Sequence, residues 1–354
     1  MVTMDTLMRA MFERNASDLH LTTGVPPMLR IDGEIVATDF EKLKPDTTAT
    51  LISSILTDEQ KNQLKRENQL TISFGLEKTG RVRLAVFRQK GTLAADLRGI
   101  PAHTQTFEDL GLPAILNDIV QVPKGLVLVC GPTGSGKSTT LASAVNWINE
   151  HKSVHILTVE DPLEFLHTHK KSIVNQREIH TDVESCAQAL RASLHQDPDV
   201  VMIGDLYDPD TVQEALSVAE TGHLVLATLS RPDSVQAITS IIELFPQHQQ
   251  FKIRMQLANT LQAIVVQQLL PRGYSSGRVA ACEVLIPTSA VRNLIREEKE
   301  YQVYSVMQTG GEYGMQTMNQ ALFELYHKQL VTYNEIFSRT TDPKDLQNLI
   351  KGTA

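Results

Sequence analysis

The sequence predicts an α/β protein in two parts, a small α+β domain followed by a larger doubly wound one. Three observations point there. Over the first hundred residues, short apolar runs alternate with turn signals. From Lys124 onward the runs "GLVLVCG", "VHILTVE", "VVMIG" and "HLVLATL" are nearly all apolar, with helical stretches between them. Such runs suit strands buried on both faces of a mostly parallel sheet. The third observation is "GPTGSGKST", which joins the first of these strands to a helix.

The elements follow in order. Residues 3–14 carry an amphipathic pattern that predicts a helix. Asp32-Gly33 between "MLRI" and "EIVA" predicts a hairpin. A helical stretch is expected at 46–66, then strands at "TISFGL" and "RVRLAVFRQ". "PAHTQTFEDLGLP" has a proline at each end and few long apolar runs, so it is expected to be a connector. Thr181 with Glu184, and Thr211 with Glu214, have capping-box spacing and predict two helix starts. After about residue 285 the pattern turns helical, punctuated by Gly310-Gly311. The expected division is 1–100, a linker at 101–123, a core at 124–285 and a helical end at 286–354.

Composition narrows the class. The chain has 354 residues, 42% of them apolar and 21% charged, with a net charge of −8 and a pI near 5.8. That acidity argues against nucleic acid as the main partner. Cys130, Cys186 and Cys282 are far apart and form no CxxC, which predicts a reducing, cytoplasmic compartment. The N-terminus carries acids and lacks the apolar core of a signal peptide, and no apolar run approaches the ~18 residues of a membrane span. His151, His155, His167, His169 and His180 lack the spacing of a compact metal-ligand set.

Gly131, Gly136, Lys137 and Ser138 fit G-x-x-x-x-G-K-[ST]. Glycines let the backbone curl so that successive N–H groups point at phosphate oxygens, with the dipole of the following helix behind them. Pro132, Thr133, Gly134, Ser135, Gly136, Lys137, Ser138 and Thr139 are therefore the expected ATP-binding residues. Lys137 would reach the β- and γ-phosphates, and Ser138 would ligate Mg²⁺. Ligands of open α/β sheets lie beyond the carboxyl ends of the strands. There this chain has Glu160, Asp161 and Glu164, then Asp205 after "VVMIG", then Ser230. One acid can hold the Mg²⁺ shell, Asp205 through water, while another orients the attacking water.

With these residues in view, the chain resembles the PilT-like retraction ATPases of type IV pili, within the secretion ATPase superfamily. The resemblance runs nearly end to end, through "SDLHLTTGVPPMLRIDGEI", "GPTGSGKSTTLA", "TVEDPLEF", "NQREI", "ALRASLHQDPDVVMIGD", "AETGHLVLATL" and "AVRNLIRE". It implies a PAS-like N-terminal domain and a RecA-like ATPase domain with a helical end. It also implies a hexameric motor driving an inner-membrane platform protein at the cytoplasmic face, as a homo-hexamer or one mixed with a paralogue. Carried over by residue, Glu164 matches the catalytic base and Asp205 stands where a Walker B glutamate stands. Arg83 and Arg98 match N-terminal-domain arginines that reach the phosphates, with Arg81 a lesser candidate.

The chain also departs from that pattern. Gly-Glu-Met-Arg-Asp becomes Gly204-Asp205-Leu206-Tyr207-Asp208, and Thr-Leu-His becomes Thr228-Leu229-Ser230. A further arginine expected near Gly91 is absent, with Arg88 or Lys90 as partial replacements. Shortening Glu to Asp shifts the carboxylate by about 1 Å, which can cost roughly a hundredfold in rate. The binding loop is intact. The expectation is firm Mg-ATP binding with slow hydrolysis; the alternative is a hydrolysis-deficient accessory or regulatory paralogue.

Overall fold

A computed structural model of the protein describes residues 2–14, 16–31, 33–76, 80–100 and 104–352. The chain divides into two compact units, Met1–His103 with Glu164–Leu166, and Thr104–Leu163 with His167–Ala354.

In the first unit α1 (Met4–Glu13) turns Met4, Leu7, Met8 and Met11 into the core, the i, i+3, i+4, i+7 spacing of one helical face. The Thr3 hydroxyl caps it, accepting from the Thr6 N–H. Then come β1 (Asp18–Leu21), β2 (Met28–Ile31), β3 (Glu34–Ala37), α2 (Pro45–Ser53), α3 (Asp58–Glu67), β4 (Gln69–Leu76), β5 (Gly80–Gln89) and β6 (Thr92–Ile100). The hairpin pairs Ile31 with Glu34 as the Asp-Gly signal predicts, although Asp32 lies outside the described residues.

The single helix expected at 46–66 is two. Thr57 interrupts it and starts α3 with a full capping box to Gln60. Strand β6 was not expected, because Asp96 and Gly99 interrupt the apolar run of "TLAADLRGI". The sheet runs β3-β2-β1-β6-β5-β4, every pair antiparallel. Leu19, Leu21, Leu29, Val82, Leu84, Val86, Ala95 and Leu97 line its buried face. The other face carries a cross-strand row, Ser73–Arg83–Arg98–Asp18–Arg30, set by the register. This is the small PAS-like α+β domain.

The second unit opens with α4 (Leu116–Ile119). Residues 104–123, expected to be a connector, are packed: Phe107, Leu112, Leu116, Ile119 and Val120 are buried in one cluster with Val127, Val129 and Val145. Next come β7 (Gly125–Cys130), α5 (Lys137–His151), β8 (His155–Glu160), β9 (Ile173–Glu178), α6 (Cys186–Ser193), β10 (Val200–Ile203), α7 (Pro209–Glu220), β11 (Leu224–Leu229), α8 (Ser234–Glu243), α9 (Gln247–Thr260), β12 (Leu261–Pro271) and β13 (Arg278–Leu285). The sheet order is β13-β12-β7-β11-β10-β8-β9. All pairs are parallel except β12 with β13.

Strands β7, β10 and β11 are buried at every residue, as their apolar runs predict. Each fully buried aliphatic side chain there contributes on the order of 1.5–3 kcal/mol. On one face α5 packs Leu141, Val145 and Ile148; on the other α6 to α9 bury Leu190, Leu216, Ile238 and Leu257. The end of the chain, α10 (Ser289–Arg296), α11 (Val303–Thr309), α12 (Met318–His327), α13 (Tyr333–Arg339) and α14 (Pro343–Lys351), joins that second cluster through Val291, Met307, Leu322, Ile336 and Leu346. This is a RecA-like α/β domain with a helical end.

Both expected capping boxes are displaced. Helix α6 starts at Ser185, whose hydroxyl accepts from the Gln188 N–H. Thr181 lies instead in a tight loop held by the Asp182 carboxylate on the Glu178 N–H (2.8 Å). Helix α7 is capped by Asp208, with Pro209 just inside the start. Proline has no N–H to leave unsatisfied there, so the start three residues before Thr211 wins. Among the described residues no helix is long and apolar enough to cross a membrane.

Candidate functional site

Strand β7 ends at Cys130, and the chain then curls through residues 131–136 into α5. Two glycines are required by space as well as by angle. Gly131 has φ +141, and a Cβ there would run into the Gln267 carbonyl and the Ser135 hydroxyl. Gly136 has φ +91, and its Cβ would meet the Gln267 side-chain amide at 2.8 Å. Lys137, the first residue of α5, folds its ammonium over the loop and donates to the Gly131 carbonyl (2.9 Å) and the Pro132 carbonyl (3.1 Å).

This cradle fits a polyphosphate. Ser135 is 4% exposed and its hydroxyl has no hydrogen-bond partner. A polar atom of that kind is uncommon in an interior. The half-buried Ser138 sits in the first turn of α5. Pro132, Thr133 and Gly134 are exposed and Thr139 half-buried, so the loop presents its outer surface to a ligand.

Parallel register brings the neighbouring strand ends level with the loop. Cys130 pairs with Leu229 of β11, and Ile203 of β10 pairs with both Ala227 and Val159. Asp205, two residues past β10, is exposed. The Thr228 hydroxyl is 3.2 Å from Asp205 Oδ1 and also in reach of the Gly204 carbonyl. The Leu206 N–H donates to the Thr228 carbonyl (2.9 Å), pinning this loop to β11.

The buried Cys130 thiol registers the surrounding charge. Burial pushes its pKa up most, then Glu283; Lys137 pulls it down, Asp205 raises it and Arg231 lowers it. Lys137 and Asp205 thus act on one strand tip. Glu160, one of the acids expected at the strand ends, is 5% exposed and accepts from the Thr158 hydroxyl (2.7 Å). Tyr207 is 64% exposed, and Ser230 is exposed at the end of β11.

Glu164, Arg83 and Arg98 belong to the first unit. Glu164 is exposed. Arg98 is exposed and its Nε donates to Asp18 Oδ1 (2.7 Å), with Arg83 beside it in the register. Burial pushes the Asp18 carboxyl up, but hydrogen bonds from Arg98 and Ser17 and the Arg98 charge outweigh it, and the net shift is down.

Two buried residues escaped the sequence reading. The Gln267 Oε1 accepts from the Thr140 hydroxyl (2.7 Å). Glu283, 3% exposed, accepts from both the N–H (2.8 Å) and the hydroxyl (2.6 Å) of Ser234 at the start of α8. Burial pushes its pKa up, and the Ser234 bonds partly offset this. The available signal was a polar residue inside an apolar run, in "LQAIVVQQLLP" and "RVAACEVL".

Comparison with known proteins agrees with this architecture. The family model described as Type II/IV secretion system protein matches residues 2–337. The type IV pilus retractation ATPase PilT of Pseudomonas aeruginosa is 40% identical over 94% of this chain and 96% of its own length. The type IV pilus ATPase PilU of the same organism is 36% identical over 98% of this chain and 91% of its own. The solved structure of the pilus retraction motor PilT with bound ADP superposes with a TM-score of 0.92 at 46% identity, covering 98% of this chain and all of that one. The chain belongs to the Type II/IV secretion system protein family.

Proposed function

We propose that this protein is a motor ATPase of the type IV pilus retraction kind, which drives twitching motility by binding Mg-ATP and hydrolysing it slowly. The observation that carries the reading is the two-glycine cradle under the Lys137 ammonium at the tip of a buried strand. The end-to-end likeness to PilT supports it.

In this reading residues 132–139 surround the phosphates, the backbone N–H groups of 133–139 donate to them, and Lys137 neutralises the β- and γ-oxygens. Ser138 and Asp205 are the residues that would hold Mg²⁺. The ion would draw charge off the bridging and terminal oxygens. Glu164 takes the proton of the attacking water, and Arg83 and Arg98 offset the charge that develops on the transferring phosphoryl group.

The assembly that suits this is a hexamer, of this chain alone or with a paralogue. It would work on a platform protein at the cytoplasmic face of the inner membrane. The working division is an N-terminal domain to residue 100, a core that takes in 104–123, and a helical end. A second reading, an accessory paralogue that binds without turning over, is favoured by Tyr207 and Ser230 at the strand ends.

Phosphate release by the purified chain tests the proposal. Slow, Mg²⁺-dependent release that disappears in Lys137→Ala supports the motor; release equal in the two proteins refutes it. Release absent from both beside tight Mg-ATP binding favours the accessory reading.

A further inference from the structure

We propose that Gln267 is a positioning residue of the nucleotide site, holding the phosphate loop in its curled form from beneath. The inference rests on the ATP-binding reading of that loop. Gln267 lies on β12, next to β7, and is 4% exposed in a strand otherwise rich in Val, Ile and Leu. A buried amide is costly unless it is bonded.

Its contacts bracket the loop. The backbone carbonyl stands where a side chain at Gly131 would have to go, at the loop's beginning. The side-chain nitrogen stands where one at Gly136 would have to go, at its end. The side-chain oxygen accepts from the Thr140 hydroxyl (2.7 Å), one helical turn further on. The Thr140 N–H in turn makes the first bond of that turn, to the Gly136 carbonyl (3.0 Å).

Both ends of the cradle and the start of α5 therefore reference one residue of a neighbouring strand. Fixing the oxygen on Thr140 leaves the nitrogen at Gly136, so the bond sets the orientation of the whole amide. Donors held in place before a ligand arrives need no reorganisation when it binds.

The test is a binding cycle with Mg-ADP on the full chain: wild type, Gln267→Met, Thr140→Val and the double variant, each checked for folding by thermal melt. Methionine keeps the length and removes the hydrogen bond. Each single variant is expected to bind Mg-ADP about tenfold more weakly, the effect of one buried hydrogen bond. The double variant should be scarcely weaker than either single one, because both changes break the same bond. A packing role alone would lower the melting temperature and leave the affinity of the folded protein unchanged.

Wild-type affinity in folded Gln267→Met, or single effects that multiply in the double variant, would overturn the inference. If Gln267→Met does not fold, Thr140→Val decides alone, and wild-type affinity there overturns it. A wild-type chain that binds no Mg-ADP would remove the ATPase reading and this inference together. A binding wild type beside an unaffected variant would remove the inference only.

Discussion

The phosphate cradle and the acidic strand ends beside it lie on one sheet edge, yet they are built differently. The cradle is fixed several times over: β7 is buried throughout, two glycines are demanded by the Gln267 backbone and amide, and Thr140 locks that amide. Asp205, Tyr207 and Ser230 are exposed, and the Asp205 carboxylate has the Thr228 hydroxyl at 3.2 Å. Substitution is tolerated where few contacts constrain a side chain, and these exposed positions are the ones the sequence marks as expected departures from the retraction-ATPase pattern. In the proposed reading, affinity and rate are carried by different parts of the site.

The largest effect that would sharpen this contrast is a gain. Asp205→Glu with Ser230→His restores the longer carboxylate and the imidazole, and turnover is expected to rise by roughly ten- to a hundredfold with Mg-ATP affinity nearly constant. Steady-state phosphate release beside a binding titration would check it. An equal rise in affinity would mean that the two regions are not separable.

A smaller effect is expected from Glu283→Leu, which strands the Ser234 N–H and hydroxyl at the start of α8. Loss of those partners should cost about 1–3 kcal/mol of stability, read by urea unfolding. No loss would mean that α8 is held by packing alone.

The smallest effect is one of pH. The Arg98 guanidinium and the Ser17 hydroxyl hold the Asp18 carboxyl below the ordinary carboxylate range in the folded chain. Its contribution is therefore complete at neutral pH, where the folded and unfolded carboxyls are both ionised. It is lost as pH falls through the folded value, because the unfolded state takes up the proton first. Asp18→Asn should remove that component and flatten the acid limb of the unfolding curve below about pH 4. An acid limb as steep as the wild type's would assign the acid sensitivity to other groups.

The cradle was legible in the sequence because its chemistry is local: spacing alone specifies Gly131, Gly136, Lys137 and Ser138. The four nearly all-apolar strands were legible for a similar reason, since burial on both faces leaves little room for polar residues. What was missed depends on partners distant in sequence. Gln267 and Thr140 are 127 residues apart, and Ser234 and Glu283 are 49 apart. Strand β6 was hidden because Asp96 and Gly99 interrupt its apolar run. The helix starts at Thr181 and Thr211 failed because a competing cap, Ser185 or Asp208, lay within a few residues.

The separation of binding from rate is tested most directly by measuring Mg-ATP affinity and single-turnover hydrolysis on one preparation of the unaltered chain, beside Lys137→Ala. Firm binding with slow cleavage is expected in the first protein, and loss of both in the second. Weak binding joined to fast cleavage, or a Lys137→Ala protein that still binds Mg-ATP as the parent does, would contradict it.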